Sequence, residues 1–269
     1  MSDEAKFDFV EKRGRLMGAL NKRGRVMSLR PFFSYYGGKW RAARLYPQPK
    51  HQTVIEPFAG SAGYSLRHHQ HNVVLYDVDP VICGVWDYLI LSSAKEILAL
   101  PDIAPGQRVE DLHVPEEAKW LIGFWLNKGS ARPGKTPSKW MRDGIRPGSF
   151  WGPNVRRTIA VQVDMIRHWR IVNRSYQDAS MEEATWFVDP PYECAGKHYR
   201  FGSTLLNYAA LGDWCRSLRG QVIVCENAGA NWLPFEHLAH IKTTRRDCRS
   251  LECVWTRNEK GVGDETSQT

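Results

Sequence analysis

The chain has 269 residues, of which 42% are hydrophobic and 12% aromatic, and its formal net charge is +8. These values are typical of a packed globular protein with room for one α/β domain and an insertion, and no apolar run is long enough to span a membrane. The positive charge favours an anionic partner, of which nucleic acid is the commonest.

Residues 1–30 are rich in Lys and Arg and lack the apolar run of a secretory signal. A short basic helix, a solvated arm and a leader sequence all fit this composition. The six cysteines form no Cys-x-x-Cys pair. We therefore expect reduced thiols, no metal site and a cytoplasmic location.

Three polar features follow along the first half of the chain. Tyr35-Tyr36-Gly37-Gly38-Lys39 is a loop whose glycines allow close backbone approach to a ligand, with a cation beside them. A strand over 53–56 then enters a small-residue turn that includes Ala59 and Gly60, which is typical of a nucleotide-binding βα turn. Asp77 ends the next strand, about 20 residues after the glycine turn, where an acid accepts hydrogen bonds from ribose hydroxyls.

Hydrophobic periodicity predicts helices over 64–70, 80–99 and 116–126. Residues 128–157 then change in character, with many Gly and Pro residues and a single acid, Asp143. An irregular loop of this length indicates a function, and cations interleaved with aromatic rings are typical of a nucleic-acid surface. The basic residues are Lys128, Arg132, Lys135, Lys139, Arg142, Arg146, Arg156 and Arg157, and the aromatic ones are Trp140, Phe150 and Trp151.

The second half begins with a predicted helix over 158–169, a short strand over 171–172, and Ser175 and Tyr176 after it. A buried strand then ends in Asp189-Pro190-Pro191-Tyr192, because proline cannot donate to a sheet ladder. Residues 193–203 are predicted to form a mobile flap, in which Lys197 and Tyr199 are further candidates for DNA contact. A helix over 205–218, strands over 221–225, 241–245 and 251–256, and a disordered tail over 258–269 complete the prediction.

The Asp189-Pro190-Pro191-Tyr192 segment has the groups needed to grip a planar ring that carries an amino group. Asp189 and the Pro190 carbonyl can accept hydrogen bonds from an NH2 group, and Tyr192 can stack on the ring. In open α/β sheets, the carboxyl end of a strand is where ligands bind.

Taken in order, Tyr36-Gly37-Gly38-Lys39, Glu56-Pro57-Phe58-Ala59-Gly60, the basic insertion and Asp189-Pro190-Pro191-Tyr192 resemble the D12 class of Dam-like DNA N6-adenine methyltransferases, in its alpha arrangement. The resemblance covers about residues 30 to 257. It implies a Rossmann-like α/β methyltransferase sheet, mostly parallel with one reversed strand. It also implies S-adenosylmethionine as methyl donor and duplex DNA as partner, with no metal, membrane or obligate protein partner.

The resemblance also implies roles for individual residues. The methyl donor would be bound by Tyr35, Gly37, Gly38, Lys39, Glu56, Phe58, Ala59, Gly60, Asp77, Ser175, Tyr176 and Asp189. The target adenine would be gripped by Asp189, Pro190, Pro191 and Tyr192, and Asn127 would begin the recognition region. Residues 31–99 and 169–257 would form the catalytic domain, and 100–168 the inserted recognition subdomain.

The chain departs from the family pattern at the donor turn, where Ala62 stands at the second glycine of Phe-x-Gly-x-Gly and Gly63 follows it. The basic insertion does not match closely enough to transfer a recognition sequence. Transfer to cytosine N4 or to RNA adenine, and donor sensing without catalysis, remain as alternatives. A dinucleotide oxidoreductase is disfavoured because the turn lacks Gly-x-Gly-x-x-Gly.

Overall fold

The structure is a computed structural model, and it describes residues 28–145, 148–242 and 249–257. Apart from residues 28–30, the predicted basic arm lies outside this description, as does the whole predicted tail over 258–269.

Within these described ranges, seven strands form one sheet, in the order β3-β2-β1-β4-β5-β7-β6. Neighbours among the first five strands pair in parallel, whereas β7 runs antiparallel to both β5 and β6. A mostly parallel sheet with one reversed strand is the Rossmann-like methyltransferase arrangement, so the predicted fold class is confirmed. The strands are Thr53–Glu56 (β1), Asn72–Asp77 (β2), Arg170–Asn173 (β3), Ala184–Val188 (β4), Gly220–Asn227 (β5), Glu236–Lys242 (β6) and Arg249–Arg257 (β7).

The sheet has a hydrophobic core on each face because its central strands are apolar at consecutive positions. In β4, Phe187 packs into one core while Trp186 and Val188 pack into the other, since successive side chains of a strand point to opposite faces. Helices therefore cover both sides, as parallel sheets require. The core on the Phe187 face also contains Leu121 and Ile159, so the predicted insertion shares the hydrophobic core on this side of the sheet.

The described residues contain six α-helices, none of them long and apolar enough to cross a membrane. The predicted helix over 80–99 is two helices, because Ser93 caps a new helix start and accepts a hydrogen bond from the amide of Glu96. The helices are Pro80–Leu91 (α1), Ala94–Ala99 (α2), Glu116–Leu126 (α3), Lys139–Arg142 (α4), Pro153–Ala160 (α5) and Tyr208–Ser217 (α6).

Three other predicted elements were wrong in extent. The helix expected over 64–70 is only a 3-10 turn at Ser65–Arg67, because the chain must re-enter the sheet at β2 before a stable helix can form. The helix expected over 158–169 begins earlier, at Pro153, and gives way to a 3-10 turn at Val163–Ile166, since proline favours a first helical position. The strand expected over 241–245 begins earlier, at Glu236, and is described as far as Lys242; positions 243–245 of that prediction lie outside the described residues.

Candidate active site

A cavity of about 480 Å3 lies at the carboxyl ends of β1, β2, β3 and β4. This is the edge of the sheet where the strand order reverses between β2-β1 and β1-β4, and such switch points form ligand crevices. The volume is in the range of small-molecule sites. All twelve predicted donor residues line it: Tyr35, Gly37, Gly38, Lys39, Glu56, Phe58, Ala59, Gly60, Asp77, Ser175, Tyr176 and Asp189.

The turn after β1 is tightly closed by its own backbone. The Ala62 amide donates to the Ala59 carbonyl at 2.7 Å, and Gly60 adopts a φ of +44°. Glu56, which is buried, accepts a hydrogen bond from the Ser65 amide at 2.6 Å. Burial raises the pKa of Glu56 to about 8, although the hydrogen bonds from Ser65 oppose this rise.

Asp77 joins the turns that follow β1 and β2. Its Oδ2 accepts from the Gly60 amide at 3.0 Å, and its Oδ1 accepts from the Asp79 amide at 2.9 Å. Burial raises the pKa of Asp77 to about 6, against the effect of these two hydrogen bonds. The side chain is therefore mostly ionised at neutral pH, and the two amides fix its orientation at the cavity wall.

The rings of Phe58 and Tyr176 stack at another part of the wall, with centroids 5.4 Å apart and an angle of 28° between the planes. Tyr176 begins a 3-10 turn whose preceding residue, Ser175, accepts a hydrogen bond from the Gln177 amide. The two rings give this part of the cavity an aromatic surface of the kind on which a nucleobase stacks.

The Gly-Gly-Lys loop brings a cation onto the acid that ends β4. Lys39 Nζ lies 2.9 Å from Asp189 Oδ1 and 4.4 Å from the centroid of the Tyr192 ring. Burial raises the pKa of Asp189 to about 6, Lys39 opposes that rise, and Glu252 adds to it. The two carboxyl groups hold the pKa of Lys39 above its usual value despite its burial. Lys39 thus lies at the predicted catalytic acid as well as in the predicted donor site.

The four residues of the Asp-Pro-Pro-Tyr segment have different positions. Asp189 and Pro191 line the cavity, whereas Pro190 is buried. The Pro191 carbonyl accepts a hydrogen bond from the Tyr208 hydroxyl at 2.5 Å, which ties the segment to α6. Tyr192 is not among the residues that line the cavity; its ring lies against the Lys39 ammonium and its hydroxyl is hydrogen-bonded to Glu252.

Glu252 is a residue that the sequence reasoning missed. It lies on β7 with only 4% of its surface exposed, and its Oε1 accepts hydrogen bonds from the hydroxyls of Tyr46 and Tyr192. Lys39 Nζ lies 3.7 Å from the same oxygen. The sequence carries one signal for it, a lone acid within the apolar strand Leu251-Glu252-Cys253-Val254.

The predicted flap over 193–203 covers the cavity. The Tyr199 hydroxyl donates to the Tyr36 carbonyl at 3.3 Å, and the Arg200 guanidinium lies 3.2 Å from Asp79 Oδ1. Tyr199 is therefore placed in the cavity wall, and the side chain of Lys197 lies outside the described part of the chain. Arg200, Phe201 and Asn207 also line the cavity, and no local motif in this segment indicates their roles.

The predicted DNA-contact residues of the insertion divide into exposed and structural ones. Arg156 is structural: its side chain is 12% exposed, donates to the Leu100 carbonyl at 2.6 Å and pairs with Asp102 at 2.8 Å. Trp151 is also buried, whereas Trp140 is 62% exposed. Arg146 lies outside the described residues. The exposed set is Asn127, Lys128, Arg132, Lys135, Lys139, Trp140, Arg142 and Arg157.

Comparison with known proteins adds little to this geometry. No protein-family model matches the chain, and no curated protein matches it. Two structures of the rRNA methyltransferase aviRa from Streptomyces viridochromogenes are similar at 14% and 13% identity, over 80% and 84% of this chain and 80% and 87% of that chain, with TM-scores of 0.36 and 0.38. A conserved hypothetical protein of Streptococcus pyogenes is similar at 11% identity, over 77% and 86% of the two chains, with a TM-score of 0.34. Scores this low support no inference, so the fold is assigned from the strand order and the site from its own residues.

Proposed function

We propose that this chain transfers the methyl group of S-adenosylmethionine to the N6 amino group of adenine in duplex DNA, as the D12-class resemblance implies. One observation carries the proposal: a single cavity is lined both by Asp77, at the end of β2, and by Asp189, at the end of β4. An acid at the end of β2 suits the ribose hydroxyls of the donor, and an acid at the end of β4 suits the amine that would accept the methyl group, so one cavity can hold both partners of the transfer.

The residues present fit the proposed donor. Asp77 is held by two backbone amides, so its remaining lone pairs suit the hydroxyls of a ribose. Phe58 and Tyr176 offer an aromatic surface for the adenine ring. A Cβ at Gly37, Gly38 or Gly60 would press on the side chains of Tyr199, Ser61 or Tyr35, so glycine lets the cavity wall close tightly at these positions. When bound, S-adenosylmethionine supplies an electrophilic methyl group.

Asp189 is suited to orient an amine. At neutral pH its carboxyl group is mostly ionised, because its pKa is about 6, and an ionised carboxyl group accepts hydrogen bonds only. Accepting a hydrogen from the amine favours a tetrahedral nitrogen whose lone pair points away from Asp189. Because the nitrogen attacks directly, this residue contributes by alignment and electrostatics and forms no covalent bond.

The insertion supplies a surface for the DNA beside this site. Asn127-Lys128-Gly129 follows α3, and the Gly129 amide donates to Ser34 Oγ at 3.2 Å, next to the Gly-Gly-Lys loop. The Tyr36 amide donates to the Ser130 carbonyl at 3.2 Å. Exposed cations of the insertion would neutralise phosphates, and the exposed Trp140 ring is available to stack against or between bases.

The test is transfer of labelled methyl from S-adenosylmethionine to unmethylated duplex DNA of mixed sequence, followed by nucleoside analysis. We expect N6-methyladenine, and we expect Asp189→Asn to lower turnover by at least about 100-fold while the calorimetric affinity for S-adenosylmethionine changes little. Asp213→Asn, at an exposed position on α6, is the matched control and should leave turnover unchanged.

Three results would contradict the proposal. Label on cytosine or only on RNA would refute the substrate. Wild-type turnover by Asp189→Asn would refute the role of Asp189. Donor binding without transfer to any nucleic acid would favour a sensing protein over an enzyme.

A further inference from the structure

Glu252 lies at the centre of a cluster that the proposed reaction does not yet explain. Three donors converge on its Oε1: the Tyr46 hydroxyl at 2.6 Å, the Tyr192 hydroxyl, and the Lys39 ammonium at 3.7 Å. The side chain is almost completely buried, and a buried acid is costly unless such partners surround it. Tyr46 packs beside the core residue Phe187 and does not line the cavity.

The Lys39 ammonium occupies part of the acid that the proposed reaction needs. Its Nζ lies 2.9 Å from Asp189 Oδ1, one of the two carboxylate oxygens that could accept a hydrogen from the target amine, so the ammonium and the amine would compete for Asp189. The second acceptor of the ammonium, Glu252, is already within ion-pair distance at 3.7 Å. A shift of about 1 Å would bring Nζ within ordinary hydrogen-bond distance of Glu252 Oε1 and would release Asp189.

We propose that Glu252 is a positioning residue of the methyltransferase site, which holds the Tyr192 ring through its hydroxyl and receives the Lys39 ammonium when the target amine takes its place on Asp189. The inference rests on the proposed function, because it assumes that an amine binds Asp189. It assigns a role to the reversed strand β7, which brings Glu252 beside the end of β5 through the pairing of Glu252 with Asn227.

A purely structural role for Glu252 makes different predictions. If Glu252 only satisfied the hydroxyls of Tyr46 and Tyr192, its replacement would lower stability and leave the kinetics of folded enzyme unchanged. If it receives Lys39, its replacement keeps Lys39 on Asp189, so that the target amine competes less well for that acid. The two roles therefore differ in the KM for DNA, in kcat and in the pH dependence of turnover.

The first experiment compares Glu252→Gln, Glu252→Asp and Tyr46→Phe under labelled-methyl transfer. For Glu252→Gln we expect kcat to fall about 10- to 100-fold and the KM for DNA to rise, with the affinity for S-adenosylmethionine unchanged. Glu252→Asp should recover part of the loss, because it keeps the charge. Tyr46→Phe is the control: it removes one hydrogen bond to Glu252 and should change stability but not kcat. Unchanged kcat and KM in folded Glu252→Gln would overturn the inference.

The second experiment tests whether Glu252 acts through Lys39. Glu252→Gln is repeated in a Lys39→Met background, where no ammonium has to move. We expect the rise in KM for DNA caused by Glu252→Gln to disappear in that background. The same rise in both backgrounds would overturn the transfer of Lys39 between the two acids.

The third experiment does not depend on activity. The titratable groups that interact electrostatically with the Asp189 carboxyl group are Lys39, Glu252, Glu56, Tyr46, Tyr192, Tyr199 and Cys225. Since Glu252 helps to raise the Asp189 pKa, Glu252→Gln should lower that pKa in a carbon-13 NMR titration, with Asp189→Asn assigning the signal. An unchanged pKa would overturn the inference even if the wild type methylates DNA. A wild type that methylates no nucleic acid, yet shows the shift, would refute the proposed function alone.

Discussion

Gly63→Ala should push the turn after β1 away from the Gly-Gly-Lys loop, against which it packs backbone to backbone. A Cβ at Gly63 would lie 2.5 Å from the Trp40 amide nitrogen, 2.8 Å from the Lys39 carbonyl carbon and 3.0 Å from the Lys39 nitrogen. Favourable contacts of carbon atoms lie at about 3.5–4.0 Å, so the Gly-Gly-Lys loop would have to move by about 1 Å. These are backbone atoms, which cannot turn aside as a flexible side chain could.

The expected cost follows from that displacement. Overpacking of a well-packed site costs about 1–3 kcal/mol, and a protein of this size loses roughly 2–4 °C of melting temperature per kcal/mol. We therefore expect Gly63→Ala to lower the melting temperature by about 2–12 °C. Because Lys39 is part of the displaced loop, methyl transfer should fall as well.

Ala62→Gly is the matched control at the neighbouring position. Ala62 is the one described non-glycine residue with a positive φ, at +48°, a strain of roughly 1–2 kcal/mol that glycine would relieve. The substitution would also cost about 0.8 kcal/mol because a buried methyl group is removed. It would cost about 0.4–1 kcal/mol more because glycine gives the unfolded chain greater conformational entropy. The net change in the free energy of unfolding should therefore stay within about 1 kcal/mol.

Ala62→Gly alone restores the Phe-x-Gly-x-Gly order of the D12 class. The decisive arm is the double variant Ala62→Gly/Gly63→Ala, which keeps that order and adds the crowding at position 63. It should be about as unstable as Gly63→Ala alone, because the close approach in this chain is at position 63. The assays are thermal unfolding of the full chain and calorimetric binding of S-adenosylmethionine. Wild-type stability of Gly63→Ala, or a double variant more stable than the wild type, would refute the reasoning.

Two further predictions concern the pH dependence of stability and the insertion. Burial, with smaller effects from His71 and other neighbours, lowers the pKa of His68 to about 4 in the folded chain. In the unfolded chain this side chain binds a proton near pH 6.5, a pH at which the folded chain keeps it neutral. His68 therefore contributes stability above about pH 6.5 that is lost as the pH falls towards 4. The free energy of unfolding should fall between pH 7 and pH 5 by about 1–2 kcal/mol less in His68→Phe than in the wild type. An identical fall in both proteins, measured by chemical unfolding, would contradict this. In the insertion, Arg156→Met should lower the melting temperature because it removes bonds to Leu100 and Asp102, whereas exposed Arg157→Met should weaken DNA binding and reduce its salt dependence without changing stability. Equal effects of the two substitutions on stability would contradict that division.

The sequence predicted which residues meet at this cavity because its parts are local. A strand followed by a small-residue turn, or ended by two prolines, places its polar residues at the carboxyl edge of the sheet whatever the rest of the chain does. All twelve predicted donor residues therefore meet in one cavity, although they come from Tyr35 to Asp189. The reversed strand was predicted from the family resemblance.

The features that the sequence did not predict depend on contacts between distant segments. Glu252 reaches Lys39 only because β7 pairs antiparallel with β5 in one register, and a shift of one residue would turn the side chain to the other face. Arg156 has the composition of a phosphate contact, but Leu100, just after α2, offers its carbonyl at 2.6 Å. Charge counted along the sequence cannot distinguish these two uses of an arginine.

The Lys39–Asp189 pair resolves a physical difficulty at the site. An acid that grips an amine must be shielded from water, yet burial favours the protonated acid, which is a poorer acceptor. Burial and Glu252 both raise the pKa of Asp189, and Lys39 is the neighbouring cation that opposes them. In the proposed reaction, the ammonium would keep Asp189 ionised before the substrate arrives and would then compete with the amine for this carboxyl group. A second acceptor for the ammonium would relieve that competition, and Glu252 Oε1, 3.7 Å from Lys39 Nζ, is in position to serve as one.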